Sequence, residues 1–369
     1  MISTPETPTR GGWRHYGAFV TRWSALLAAS LLGWALLARV GIAAPNLLAA
    51  LLVAIVLAVA GVGPLRPARP LSMGAQGILA VSIGLSVRPE TLTGLTAHWV
   101  AVTGIAVATL VMSILAGLAL SRHRDVDAVT GVLGTIAGGA TGLVAVADEL
   151  HADERIVVVA QYLRVALVVL TMPMVVTYLF TVGDAPPTDP SPTAVDAVPW
   201  WGGLLFMVVA VAAGTGVAML VRLPIPATLG PLIFAAAAEL GGWADGVTVP
   251  PGVLPAAFLI IGWQAGSSFT RESIAAVGRV FVWALVLMVG LLAGCAGLGL
   301  LLSAATGVSG LDGYLATTPG GLAAVLAVAG TSGDSDVTFV AASQIFRLIL
   351  MLVSAPVLVW ALGRWSRKH

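Results

Sequence analysis

Apolar residues run along this chain in long blocks separated by short polar breaks. The first six blocks fall at about 23–40, 45–62, 71–87, 97–120, 128–147 and 156–182. Six more follow at 199–221, 226–243, 252–268, 280–303, 311–330 and 337–363. Most are long enough to cross a bilayer core as a helix, which takes roughly 20 apolar residues. Between the two sets lies the stretch GDAPPTDPSPTAVDAVP, whose proline, aspartate and small residues predict a flexible, extended linker. The pattern predicts an all-α polytopic membrane protein.

The two sets resemble each other in detail. Pro45-Asn-Leu-Leu matches Pro226-Ala-Thr-Leu, and Gly84-Leu-Ser-Val-Arg-Pro-Glu90 matches Gly266-Ser-Ser-Phe-Thr-Arg-Glu272. Thr135-Ile-Ala-Gly-Gly139 matches Thr317-Thr-Pro-Gly-Gly321. Gln161-Tyr-Leu-Arg164, with Pro173 beyond it, matches Gln344-Ile-Phe-Arg347 with Pro356 beyond it. All four pairs share nearly one offset, the mark of an internal duplication.

Charge predicts the orientation of these repeats. Arginines cluster before the first block, at Arg66 and Arg69, at Arg122 and Arg124, at Arg222, at Arg271 and Arg279, and at the chain end. The central linker holds Asp184, Asp189 and Asp196 but no Lys or Arg. The positive-inside rule then puts both termini in the cytoplasm and the linker outside. This requires an odd number of crossings per half. The segments broken at Gly138-Gly139 and Gly320-Gly321 are the ones expected to be re-entrant or discontinuous, leaving about five crossings in each of two inverted-topology repeats. The expected organisation is a cytoplasmic tail at 1–22, a membrane repeat at 23–182, an external linker at 183–198, a second repeat at 199–363 and a cytoplasmic tail at 364–369. Opposed repeats with broken helices are a signature of secondary transporters, which bind solute near the midplane where the repeats meet.

Composition agrees and excludes other classes. Hydrophobic residues make up 58% of the chain and charged residues only 9%, against about a quarter in soluble domains. The net charge of +1 offers no basic field for nucleic acid. The lone Cys295 cannot form an intrachain disulfide. His15, His98, His123, His151 and His369 are scattered without metal-ligand spacing, and no Walker loop or nucleophile elbow has a soluble domain around it. Neither cofactor nor metal is implied, and no enzyme activity is expected.

The candidate chemistry lies in the duplicated motifs. Gln161 and Arg164 are one helical turn apart and share a face, with Arg164 roughly 12 Å into its helix at 1.5 Å per residue. Gln344 and Arg347 repeat the arrangement. Charges at such depth need a partner or a water-filled cavity, and two guanidinium groups would suit an anion. The competing reading has each arginine bonding broken-helix carbonyls, or an acidic neighbour such as Asp148, Glu149 or Asp336. Gly138, Gly139, Gly320 and Gly321 would unwind a helix and aim backbone N–H groups at a ligand, or would merely permit close packing. Gln76, Ser82, Ser86, Gln264, Ser267 and Ser268 are candidates to line a polar pathway, or else hydroxyls and amides bonded locally. The expected partners are the lipid bilayer, a small anionic solute and a coupling ion, H⁺ or Na⁺. A homo-oligomer is left open.

The Pro-x-x-Leu starts, the Gly…Phe269-Thr-Arg-Glu272 stretch and the Thr318-Pro-Gly-Gly…Phe339-Val-Ala-Ala-Ser-Gln-Ile-Phe-Arg347…Pro356 run resemble the AbrB family of bacterial membrane proteins over about Ala25 to Leu362. In the first half Ala137 stands where the second has Pro319. The resemblance implies an inner-membrane protein with a duplicated repeat, in a family whose members also carry the labels ammonia monooxygenase and regulator of gene expression. A secondary transporter is the leading expectation. A membrane sensor acting indirectly on gene expression is the alternative, and a membrane monooxygenase comes third.

Overall fold

The computed structural model describes residues 11–42, 44–62, 66–87, 89, 98–137, 152–180, 198–223, 225–267, 269–271, 275, 278–332 and 335–366. Gly138, Gly139, Asp148, Glu149, Ser268, Glu90, Glu272 and most of the central linker lie outside them. The described residues form helices and no strands. In the first half these are α1 (Gly11–Arg39), α2 (Pro45–Val59), α3 (Arg69–Gly84), α4 (Trp99–Leu120), α5 (Ala128–Thr135) and α6 (Glu154–Leu179). The second half has α7 (Trp200–Leu220), α8 (Pro226–Leu240), α9 (Val253–Gly266), α10 (Arg279–Thr306), α11 (Gly310–Thr317), α12 (Leu322–Thr331) and α13 (Val337–Ser366).

Among the described residues five helices are long and apolar enough to cross a membrane: α1, α4, α6, α7 and α10. Four of them form the rim, with no more than 28% of their apolar windows buried, whereas α6 is 67% buried. The rim helices turn Leu32 and Leu36, Val111 and Leu115, Val208 and Val217, and Val286 and Val289 outward. In water such a surface would be unstable, but in hydrocarbon it costs nothing. This is an all-α, multi-pass membrane protein.

Local chemistry repeats with the sequence. α2 and α8 both open on a proline, preceded by a residue held in the left-handed region, Ala44 (φ 49°) and Ile225 (φ 49°). For a β-branched residue such as Ile225 that conformation is strained. The short helices α5 and α11 each start on a side-chain cap, Asp127 accepting from Thr130 N and Ser309 accepting from Asp312 N. The residue at the capped N–H then ties the short helix to the long helix that follows. Thr130 Oγ1 accepts from Asp153 N at 2.9 Å, and Asp312 Oδ1 accepts from Asp336 N at 2.9 Å and Ser335 Oγ at 2.7 Å.

The halves pack by exchange. α2 lies along α9 and α3 along α8, while α4 meets its counterpart α10. Glycine sets the closeness. A Cβ on Gly84 would stand 2.7 Å from Leu232 O of α8, and one on Gly266 would stand 2.6 Å from Leu51 O of α2. Backbones can touch so closely only where no side chain intervenes. Between these layers the central core gathers Leu47, Leu79, Met172, Phe258, Leu315 and Val325 from both halves.

Candidate functional site

The centre of the molecule is built from two short helices that stop inside the protein. α5 ends at Thr135 and α11 at Thr317, so their last carbonyls have no helical partner. The Gln-x-x-Arg pairs supply one. On α6, Gln161 Nε2 donates to Leu133 O (2.6 Å) and Ile136 O (2.9 Å), and Arg164 Nη1 donates to Thr135 O (3.1 Å). On α13, Gln344 Nε2 donates to Leu315 O (2.6 Å) and Thr318 O (3.1 Å), and Arg347 Nη1 donates to Thr317 O (2.9 Å). Each arginine also donates from Nη2 to the Oε1 of its own glutamine.

Two polar groups one turn apart therefore form a clamp on a helix C-terminus. The electrostatics fit, since a cation there opposes the negative end of the helix dipole. Of the alternatives open from sequence, the carbonyl partners are present in both halves. Arg347 is not paired with Asp336, whose Oδ1 instead accepts from Phe339 N at the start of α13. Asp148 and Glu149 lie outside the described residues.

Threonine reinforces each clamp. Thr135 Oγ1 donates to Ser113 O of α4 (2.7 Å), and Thr317 Oγ1 to Cys295 O of α10 (2.9 Å). These threonines were quoted in the sequence only as part of a repeated motif. Their partners lie 22 residues upstream and follow no local rule.

Both guanidinium groups are nearly sealed from solvent, Arg164 at 2% and Arg347 at 4% exposure. Among the described residues the one ion pair is His123 with Asp125, far along the chain, so neither arginine has a described carboxylate within salt-bridge distance. The Nε of each has no hydrogen-bond partner. The halves also touch here. Gly320, in the break between α11 and α12, lies against Arg164, and α12 packs on α3 and α6 of the first half.

The other candidates are more dispersed. Gln76 Nε2 donates to Gln264 Oε1 at 3.2 Å, bridging α3 and α9 across the halves. Ser86 bonds Ser82 O and Ser267 bonds Gln264 O, both local, while Ser86 O accepts from Thr338 Oγ1 at 3.1 Å. Thus Ser86 is linked to α13 through its backbone. Among the described residues no group of three or more His, Cys, Asp or Glu side chains is gathered as a metal site would require.

Sequence reasoning missed Ser343 and Thr109. Both are buried beside Arg347 and line a small cavity with Val102, Ala106, Leu302 and Thr317. Aligning the two halves would have flagged Ser343, because Ala160 stands in its place next to Gln161.

Comparison with known proteins identifies the family. Residues 49–363 match the family model AbrB, described as "Transition state regulatory protein AbrB". A protein of Escherichia coli (strain K12) named "Putative regulator AbrB" is 30% identical over 355 residues, 95% of this chain and 99% of that protein. A Bacillus subtilis (strain 168) protein named "Uncharacterized protein YhjN" is 30% identical over 298 residues, covering 78% and 77% of the two chains. With its duplicated motifs, its helices long enough to span a bilayer and a match over most of its length, the chain belongs to the AbrB family.

Proposed function

We propose that this protein is a secondary transporter of a small anionic solute, with its site where the two halves meet at Arg164, Arg347 and the helix breaks. One observation carries the reading. Two guanidinium groups, one in each half, are buried and bonded only to neutral acceptors among the described residues. An uncompensated buried charge costs several kcal/mol. Carbonyls of a helix C-terminus offset part of that cost, and an anion would offset more. Exchange packing of α2 with α9 and α3 with α8 suits two repeats that rock against each other around a fixed centre.

The orientation by positive charge adds the rest of the proposal. The protein would sit in a bacterial inner membrane with both termini cytoplasmic and its repeats opposed, moving solute with H⁺ or Na⁺. A proteoliposome flux screen over carboxylate, phosphate and amino-acid classes tests it. The expected result is uptake or exchange of one class, at least tenfold slower in Arg347→Gln. Absence of flux with every class, from protein that remains folded in the liposome, would sink it.

The name of the Escherichia coli relative favours a second reading, a membrane sensor that affects gene expression through a partner. That reading predicts solute binding without flux, and the same liposomes distinguish the two.

A further inference from the structure

Exchange packing divides the helices along a line that is not the line between the repeats. α1, α2 and α3 pack with α7, α8 and α9, whereas α4, α5 and α6 pack with α10, α11, α12 and α13. Each bundle thus takes three consecutive helices of the first half and the matching helices of the second. The bundles meet chiefly where α3 touches α12 and α13, and where α6 touches α2 and α9.

What joins helices inside a bundle differs from what joins the bundles. Among the described glycines, every close approach to another helix stays within a bundle. Gly84 lies against α8, Gly214 against Gly230, and Gly262 and Gly266 against α2, all in the first bundle. Gly117 lies against Gly131, and Gly299 against Gly313, in the second. Helices that touch main chain to main chain are held in one register, because a small slide brings a Cβ into the opposing backbone.

Directional bonds follow the same division. Gln76 with Gln264, and Trp263 Nε1 with Ser30 Oγ, tie the first bundle across the repeats. Trp283 Nε1 to Ala119 O ties the second, which also holds both arginine clamps. Between the bundles lies the apolar core, with Leu79 and Phe258 on one side and Met172, Leu315 and Val325 on the other. Thr338 Oγ1 of α13 reaches across it to Ser86 O, just beyond the end of α3, at 3.1 Å. Apolar contact has no preferred direction, so such a layer can shear by repacking its side chains. Hydrogen bonds in a low-dielectric interior keep their geometry.

We propose that the protein moves as these two mixed bundles, and that the boundary between them is the surface that shears. Both arginine clamps and the break at Gly320-Gly321 belong to the second bundle, so the centre keeps its geometry while the bundles shift. This refines which bodies rock in the transport reading, and it rests on that reading for its purpose alone. Shifting bundles in a protein without flux would sink transport and leave the division standing. Flux with repeats that part from each other would do the reverse.

Four outward-facing residues separate the possibilities: Leu32 on α1, Leu115 on α4, Val217 on α7 and Leu300 on α10. Each is changed to cysteine in pairs on the full chain and carries a nitroxide spin label, with the buried Cys295 left in place. Pulsed electron spin resonance in lipid nanodiscs, at acid and at alkaline pH, reads the distances. Leu32→Cys with Val217→Cys, and Leu115→Cys with Leu300→Cys, each stay within one bundle and cross the repeats. They are expected to give one narrow distance under both conditions. Leu32→Cys with Leu115→Cys, and Val217→Cys with Leu300→Cys, each stay within one repeat and cross the bundles. Their distance is expected to shift or split by about 5 Å, one helical turn. Thr338→Val removes the bond across the boundary and is expected to broaden the cross-bundle distances alone. A shift in the pairs that cross the repeats within a bundle, or no shift in any pair, overturns the proposal.

Discussion

A Cβ placed on Gly320 would stand 2.8 Å from Arg164 Nε, so the helix break of the second half is built directly against the arginine of the first. The contact joins the two duplicated motifs across the molecule. It also makes one residue in the chain answerable to two constraints, backbone and space. Gly320 has φ 124°, a conformation essentially restricted to glycine, and Gly321 follows at φ 66° in the left-handed helical region.

Gly320→Ala should therefore be more costly than Gly321→Ala. Strain of about 1–3 kcal/mol is expected at Gly320, with displacement of Arg164 added to it, against roughly 1–2 kcal/mol at Gly321. Thermal unfolding in detergent measures both. Equal Tm values for Gly320→Ala and the wild type would contradict the described contact.

Removing a clamp glutamine should cost more than losing one surface hydrogen bond. Gln344→Leu strands Leu315 O, Thr318 O and one donor of Arg347, each worth about 1–3 kcal/mol when left buried and unsatisfied. Gln161→Leu should behave alike, because its bonds are the same. The expected readout is loss of folded yield or a large fall in Tm for both variants. A marked difference between them would mean that the two clamps do not carry equal weight.

The joint between the short and long helices should be stronger in the second half. Asp312 holds Ser309, Ser335 and Asp336, whereas Thr130 holds only the N–H of Asp153 among its described partners. Asp312→Ala is expected to destabilise by about 2–3 kcal/mol and Thr130→Ala by about 1 kcal/mol, from the ordinary worth of charge-assisted and neutral bonds. Limited proteolysis near residue 335, compared between the two variants, reads the difference. An equally protected site in both would refute it.

Glycine at the crossing of the halves should be intolerant, while glycine facing the hydrocarbon should not. Gly84→Leu and Gly266→Leu would drive side chains into the backbones of α8 and α2, and overpacking of this kind costs at least 1–3 kcal/mol. Gly290→Leu meets open space on the rim of α10 and should leave Tm unchanged within a degree or two. Size-exclusion profiles and Tm of the three variants check the contrast.

Several features of the site were legible before any coordinate. The repeat offset paired Gln161 with Gln344, Arg164 with Arg347 and Thr135 with Thr317, and each pair occupies matching positions. Of the two glycine pairs expected to break a helix, Gly320-Gly321 separates α11 from α12, while Gly138-Gly139 lies outside the described residues. Sequence left the partner of each arginine open between carbonyls and acids. It also gave Ser343 no role, since it lies next to a motif rather than in it.

What the amino-acid order determined by itself was the membrane character, the duplication and the identity of the buried polar residues. Hydropathy, residue spacing and internal repetition are one-dimensional properties, so they survive without coordinates. Only the tertiary structure decided what those residues hold. Gln161 finds carbonyls 25 and 28 residues away because α5 ends beside α6, and Arg164 meets Gly320 because α12 crosses to the first half.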